Sequence, residues 1–357
     1  MRRSIFIVTM ALLVFGTVMI YSSSAIYAHE KYSDSMYFLK RHLVFLLLGF
    51  ALMAFVMSLD ISLIERASRP LILISLALLL FVLIPGLGSA VAGARRWFKL
   101  GGLSFQPSEL AKFALVIYVA SYLDRKGYKI KDFFRGFMPA ATAIVFTGLL
   151  VLSQPDLGTA LSVFFIGFLM LFAGGASIFY LGSIVLAGLP FIYYLIWSVP
   201  CRRKRILVFL DPWRDPEGAG FQIVQSFIAL GSGGVLGAGL GQSAQKLFYL
   251  PESHTDFIFS IIGEELGFLG AASLVLLFGV FIWQGMRAFF LAGGVFKKML
   301  VFGITSMIAF EVLVNIGVSS GLFPTKGMPL PFISYGGSSL VFHMAAVAIL
   351  LNAMRDG

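Results

Sequence analysis

Ten apolar runs, each approaching the roughly 20 residues that cross a bilayer as a helix, dominate this chain. Backbone groups inside lipid must find their hydrogen bonds within the protein, so the runs predict helices. We therefore expect residues 1–357 to form a single domain of the all-α class, a polytopic membrane protein with about ten spans. The predicted spans are 4–24, 42–59, 70–85, 108–123, 138–153, 157–173, 178–199, 264–287, 299–321 and 336–354.

The composition supports the membrane-protein class and argues against nucleic-acid binding, an intramolecular disulfide and a cysteine metal site. Apolar residues make up 59% of the chain and charged residues 12%, against roughly 25% charged in soluble domains. The net charge of +10 does not indicate nucleic-acid binding, because no basic stripe is interleaved with polar aromatic residues. The single cysteine, Cys201, excludes an intramolecular disulfide and a CxxC metal site. The basic start at Arg2 and Arg3 resembles a signal peptide, but we expect a retained first helix.

The basic residues predict the orientation in the membrane. Lys and Arg are more numerous in the segments that face the cytoplasm when both termini lie inside than in the short loops that would face outside. Cys201–Arg205 breaks this pattern, since it begins a large extracytoplasmic loop of about 200–264. Long loops cross largely regardless of charge, although an odd number of spans would place this cluster inside.

An acid-rich segment, residues 245–267, carries Glu252, Asp256, Glu264 and Glu265, four of the 17 acidic residues. Acids near lipid are expensive and indicate function. Three further polar connections should lie on the same face: 95–112, 154–158 and 324–339. Their convergence predicts a site.

Several polar residues have both a structural and a functional interpretation. Glu109 and Lys112 lie three apart on one helix face and should pair, either structurally or within a site. Asp256 could be a helix cap, as could Asp156 and Ser338. Glu311, near Asn315 in mid-span, is either functional or part of a helix–helix hydrogen bond.

Three further sequence patterns predict local features. Glu252, His254 and Asp256 alternate and would share one face of an extended segment, an arrangement that is compatible with a metal site and does not require one. The glycine run 231–241 has no Walker Lys-Ser/Thr ending, so it predicts tight helix packing and not a nucleotide site. Residues 223–230 predict a short amphipathic helix.

Five long motifs, distributed along the chain, resemble the SEDS family (shape, elongation, division and sporulation). They are Arg95–Phe98, Gln106–Lys112, Gln154–Thr159, Leu250–Ile258 and Leu330–Ser338. Gly239–Lys246 and Tyr249–Glu252 favour the division members of this family. Gln154–Gly158, Gly231–Gly234 and Phe259–Ser260 lean towards the elongation members. Taken together, the motifs are closer to those of the division members.

This resemblance implies a ten-helix peptidoglycan glycosyltransferase of the bacterial cytoplasmic membrane, with its active site on the extracytoplasmic face. It would polymerise lipid II through β-1,4 linkages and release undecaprenyl pyrophosphate. The family's catalytic acid matches Asp256, and its Glu–Lys pair matches Glu109 and Lys112. The implied partner is a class B penicillin-binding transpeptidase.

For this reaction we expect Asp256 to act as general base. Cations should surround the leaving pyrophosphate, with Lys112 favoured. The further candidates for contact with the substrate are Arg95, Arg96, Arg202, Arg203, Lys246, Glu252, His254 and Ser338. A divalent cation, Mg²⁺ or Mn²⁺, could share this work, but the sequence has no convincing ligand set.

Two other functions remain open. A lipid II flippase would fit a many-helix chain with Glu311 in mid-span, but transporters concentrate ionisable groups near the bilayer midplane and not at one face. A non-catalytic scaffold for the transpeptidase would make the outer acids dispensable.

Overall fold

The computed structural model describes residues 1–91, 94–100, 103–247, 250–251 and 253–355. Thirteen α-helices lie within these residues. They are α1 (Arg2–Tyr32), α2 (Tyr37–Ser58), α3 (Ile61–Arg66), α4 (Ser68–Phe81), α5 (Pro107–Lys126), α6 (Met138–Leu152), α7 (Leu157–Ala173), α8 (Ile178–Trp197), α9 (Pro200–Leu210), α10 (Phe221–Ser232), α11 (Ile258–Leu291), α12 (Val295–Ser319) and α13 (Gly337–Ala353).

The all-α, polytopic membrane class is confirmed. In the described part of the chain five helices are long and apolar enough to cross a membrane: Arg2–Tyr32, Tyr37–Ser58, Phe133–Leu152, Ile258–Leu291 and Val295–Ser319. Shorter apolar helices lie at Ser68–Phe81, Leu157–Ala173, Ile178–Phe191, Phe221–Ser232 and Gly337–Ala353. Each of the ten predicted spans overlaps one helix.

Helix α5 lies at the centre of the bundle, packed against α4, α7, α12 and other helices. It begins at Pro107, which suits the first helical position because its missing N–H would have no helical partner there. Nearly all of its side chains between Pro107 and Leu123 are buried. A polar side chain on this helix therefore faces protein and not lipid.

Two predicted loops contain regular structure. The segment before α5 forms an antiparallel sheet of β1 (Ser89–Val91), β2 (Ala94–Leu100) and β3 (Leu103–Phe105). The large loop 200–264 contains α9, α10 and the start of α11, which begins at Ile258 and not at 264. The predicted helix 223–230 is confirmed as α10.

Helix α11 is interrupted at Gly267, whose φ of 66° and ψ of −166° are not helical. Residues 234–239, here called the glycine strap, replace the missing helical bonds. The Glu264 and Glu265 carbonyls accept from the N–H groups of Ala238 and Gly239, both at 2.9 Å, and Phe268 N–H donates to Gly234 O at 2.9 Å. A Cβ on Gly237 would overlap the Glu265 carbonyl. The predicted helix-packing role of the glycine run is confirmed.

Candidate functional site

The polar connections predicted to converge are in contact at one end of the bundle. Arg96 on β2 donates from Nε to the Gln154 carbonyl at 2.9 Å. Gln106, just before α5, donates to the Asp156 carboxylate at 3.3 Å. These bonds bring the sheet and the start of α5 against the connection between α6 and α7.

Lys326 and Gly327 extend this surface to Asp256. A Cβ on Gly158 would lie 3.0 Å from Lys326 Cε and 3.3 Å from Asp156 Oδ1. A Cβ on Gly327 would lie 2.6 Å from Asp256 Oδ2. Asp156, Lys326 and Asp256 follow one another along the surface formed by these connections. We call these three residues the outer site, because they lie at the end of the bundle.

The backbone that carries Asp256 is fixed by three successive hydrogen bonds. The N–H of Tyr335 donates to the His254 carbonyl at 3.0 Å, and Ser334 Oγ donates to the Thr255 carbonyl. Asn315 Nδ2 donates to the Asp256 carbonyl at 2.9 Å. The N-cap position of α11 is Phe257, so Asp256 does not occupy it. Its half-buried carboxylate lies in a segment whose carbonyls are already bonded.

Sequence reasoning missed Lys326 as a site residue and counted it only as a loop charge. Its half-buried position lowers its pKa to about 7; Asp156 opposes this shift and Arg205 adds to it. One sequence signal could have identified Lys326: it is a lysine within the 324–339 connection, which was predicted to lie on the same face as the site. This cation is poised between its two protonation states near neutral pH.

A second polar cluster, the buried cluster, lies inside the bundle and joins α5, α12 and α13. Lys112 Nζ lies 3.0 Å from Glu109 Oε1 and 2.5 Å from Glu311 Oε1, which confirms the predicted Glu109–Lys112 pair. Glu311 also lies 2.6 Å from His343 Nε2. All four residues are 5% exposed or less. Glu311 therefore bonds to side chains of two other helices. The sequence analysis did not predict His343 as a member of this cluster.

The formal charge of the buried cluster depends on the protons held between Glu311 and His343. His343 Nδ1 lies 2.7 Å from the Ser339 carbonyl, which is only an acceptor, while Nε2 faces the Glu311 carboxylate. With a neutral imidazole, one lysine and two glutamates sum to −1. One additional proton on the Glu311–His343 pair makes the cluster neutral, as burial in low dielectric favours.

The acid-rich segment divides into two parts. Asp256 belongs to the outer site, whereas Glu264 and Glu265 are buried in structural contacts. Glu265 binds Lys246 Nζ at 2.7 Å and accepts from Ser22. Glu264 accepts from Ser243 Oγ and from the Ala244 N–H at 2.9 Å. Lys246, predicted as a pyrophosphate ligand, is only 5% exposed and has its charge balanced by Glu265.

The other predicted basic residues lie on two elements. Arg95 is exposed on β2, beside the half-buried Arg96. Arg202 is half-buried and Arg203 exposed on α9. This helix also carries Arg205, whose charge acts on Lys326. Of the basic residues on α9, Arg205 therefore lies within electrostatic range of the outer site.

The remaining predicted residues have mixed outcomes. His254 packs among aromatic rings, with centroids 4.6 Å from Phe38 and 6.0 Å from Tyr335. Asp156 caps α7 by accepting from Thr159 N–H at 3.2 Å, as predicted. The cap prediction for Ser338 is wrong, because Gly336 is the N-cap of α13. Glu252 lies outside the described residues. Among those described, no three His, Cys, Asp or Glu side chains group as metal ligands.

Comparisons with known proteins give one consistent result. The model of a family described as Cell cycle protein, covering FtsW, RodA and SpoVE, matches residues 2–356. The Probable peptidoglycan glycosyltransferase FtsW of Geobacter sulfurreducens is 47% identical over 348 residues, which cover 98% of this chain and 93% of that protein. Stage V sporulation protein E of Bacillus subtilis is 45% identical over 349 residues, covering 98% and 95%.

Solved structures agree with the fold. A chain reported under "Structural coordination of polymerization and crosslinking by a peptidoglycan synthase complex" is 33% identical with a TM-score of 0.81; the match covers 99% of this chain and 97% of that one. The rod shape determining protein RodA of Thermus thermophilus is 29% identical with a TM-score of 0.73, covering 99% and 96%.

Proposed function

This chain belongs to the FtsW, RodA and SpoVE family of cell cycle proteins, and we propose that it is a peptidoglycan glycosyltransferase that polymerises lipid II. The observation that carries this proposal is the outer site. A half-buried carboxylate, Asp256, lies on a fixed backbone beside the loop that carries Lys326. A base and a cation-bearing loop therefore lie side by side, and a polymerase of lipid-linked sugars requires both groups.

The reaction joins two lipid-linked disaccharides. The 4-hydroxyl of the acceptor GlcNAc attacks the anomeric carbon of the donor MurNAc, and the bond from that carbon to the pyrophosphate oxygen breaks. Asp256 accepts the hydroxyl proton, and undecaprenyl pyrophosphate leaves with the bonding electrons. Because the attack is a single displacement, the α-linkage of the donor becomes the β-1,4 linkage of the product.

The negative charge that develops on pyrophosphate requires cations. Within the outer site, Lys326 is the leading candidate to bind the pyrophosphate. The positive charge of Arg205 on α9 lowers the pKa of Lys326. Arg95, Arg96, Arg202 and Arg203 are proposed to extend this basic surface. Lys112 is better assigned to holding the bundle beneath the site, because two carboxylates already balance its charge.

The proposed setting is the bacterial cytoplasmic membrane, with both termini in the cytoplasm and the outer site on the extracytoplasmic face. The excess of basic residues in the inner segments supports this orientation. The proposed partner is a class B penicillin-binding transpeptidase. A similar chain occurs in a complex whose description joins polymerisation to crosslinking, which supports this partner.

The alternative of a lipid II flippase has one favourable observation, the ionisable side chains of the buried cluster inside the bundle. Transporters place ionisable residues at such depths on helices that break there. The four side chains here bond to one another on unbroken stretches of α5, α12 and α13. Translocation of labelled lipid II by purified Asp256→Asn protein in liposomes would favour the flippase over the polymerase.

The test of the proposed function is polymerisation of lipid II by the purified chain, with and without the transpeptidase. Asp256→Asn should lower the rate about 10²–10⁴-fold, the usual range for loss of a general base. Asp34→Asn is the matched control, because Asp34 lies in the loop between α1 and α2, in an exposed ion pair with Lys40. A loss smaller than tenfold in Asp256→Asn would overturn the assignment.

A further inference from the structure

Asn315 has an unusual set of contacts for a side chain so deep in the bundle. It lies on α12 and is 1% exposed. Its Nδ2 donates to two backbone carbonyls, Asp256 O at 2.9 Å and Met328 O at 2.7 Å. Its Oδ1 is buried with no hydrogen-bond partner among the described residues. The amide orientation is determined, because a flipped Oδ1 would face two carbonyl oxygens.

These two bonds join the segments that form the outer site. One accepting carbonyl belongs to Asp256 itself. The other belongs to Met328, which directly follows Gly327, the residue that packs against the Asp256 carboxylate. Lys326 precedes Gly327 in the same loop. One side chain therefore sets the position of Asp256 relative to the loop that carries Lys326.

The helix beneath this contact is itself fixed. Glu311 lies one turn before Asn315 on α12, on the same side of the helix. Its carboxylate binds Lys112 on α5 and His343 on α13. These bonds fix the rotation of α12 about its axis, so the Asn315 amide points in one direction.

We propose that Asn315 is a positioning residue for glycan polymerisation, acting by holding the Asp256 and Met328 carbonyls together. This rests on the proposed function. A displacement of about 1 Å between reacting groups lowers a rate about 10²-fold. We expect contacts to the lipid tail, the sugars and the pyrophosphate to involve a wider surface than these two carbonyls. Loss of Asn315 should therefore reduce kcat and leave KM nearly unchanged.

The chain offers a matched control, because Asn352 makes the same kind of contact elsewhere. It lies near the end of α13 and is 5% exposed. Its Nδ2 donates to Val56 O at 3.1 Å and to Leu59 O at 2.7 Å, at the end of α2. Asn352→Ala removes an equivalent pair of buried bonds without touching the outer site.

The experiment compares Asn315→Ala with Asn352→Ala in the full chain, using thermal unfolding in detergent and lipid II polymerisation kinetics. We expect similar losses of thermal stability in both variants. We expect kcat to fall at least tenfold only in Asn315→Ala, with KM within about twofold of wild type. Asn315→Ser, which retains one donor, should give an intermediate kcat, and it takes the place of the alanine variant if that does not fold.

The outcomes separate this inference from the proposed function. If wild type polymerises lipid II and Asp256→Asn does not, yet kcat is equal in the Asn315 and Asn352 variants, the positioning role is wrong. The same holds if the Asn315 variants raise KM at unchanged kcat. If wild type makes no glycan, or Asp256→Asn remains active, the proposed function fails first.

Discussion

At the scale of single residues, Lys326 provides a prediction about pH. Burial lowers its pKa to about 7, so it loses its proton as the pH rises through neutrality. If the charged form receives the leaving pyrophosphate, kcat/KM of wild type should fall as the pH rises from about 6.5 to 8.5. The rate of lipid II polymerisation at low substrate concentration, measured across this range, reports the pKa in the free enzyme.

Lys326→Arg is the control for this pH profile. A guanidinium stays protonated throughout the range, so the fall above neutrality should disappear even if the absolute rate is lower. Lys326→Met should remain slow at every pH. An identical decline in wild type and Lys326→Arg would show that another group titrates and that Lys326 does not supply the charge.

Residue-level prediction succeeded where partners are close in sequence. Glu109 and Lys112 lie three apart, so helical spacing alone predicts their contact. Asn315 and Asp256 lie 59 positions apart, and Lys112 and Glu311 lie 199 apart. Only the packing of whole helices brings such groups together, so the sequence did not reveal either contact. His343 was missed for the same reason.

At the scale of elements, the buried cluster is a link among α5, α12 and α13 whose charges can be counted. Lys112→Met leaves two buried glutamates without the cation they share, a net charge of −1 where the wild-type cluster is neutral, and should destabilise the protein by about 3–5 kcal/mol. Glu311→Gln removes one negative charge and leaves Glu109 paired with Lys112. Its loss of stability should be clearly smaller.

Thermal unfolding in detergent checks this order. The midpoint should fall further in Lys112→Met than in Glu311→Gln, and the Lys112→Met/Glu311→Gln double variant should recover part of the loss. Equal midpoints in the two single variants would mean that the cluster has no unbalanced charge to relieve.

Hydropathy predicted the spans because burial in lipid demands apolar helices. It placed the start of α11 too late, since Glu264 and Glu265 look like a polar boundary. Both acids are inside the helix and buried, because Lys246 and Ser243 bond to them. The sheet of β1–β3 was missed because its strands are only three to seven residues long.

At the scale of the whole molecule, the outer site lies at one end of the helix bundle, and Met1 and Ala353 lie near the other end. The outer site is formed by the connections α6–α7, α12–α13 and the segment before α11. Met1 packs with Ala353 near the other end of the bundle. One orientation in the membrane therefore fixes both the side of the termini and the side of the site.

Labelling with a membrane-impermeant maleimide tests this orientation in a Cys201→Ser background. Glu30→Cys, exposed near the end of α1, should react in cells whose outer envelope layers have been removed and whose cytoplasmic membrane is intact. Gly293→Cys, exposed between α11 and α12, should react only after permeabilisation. The reverse pattern would place the outer site in the cytoplasm, where an extracytoplasmic polymerase could not work.

The glycine strap also constrains how the chain can be assembled during synthesis. The backbone groups freed at Gly267 find their partners in residues 234–239, which leave the ribosome first. Lipid offers these groups no hydrogen bonds, and each would cost several kcal/mol if left alone there. The outer end of α11 is therefore not an independent unit of membrane insertion. The glycine strap and α11 must enter the hydrocarbon together, because residues 234–239, which lie outside this span, complete its backbone hydrogen bonds.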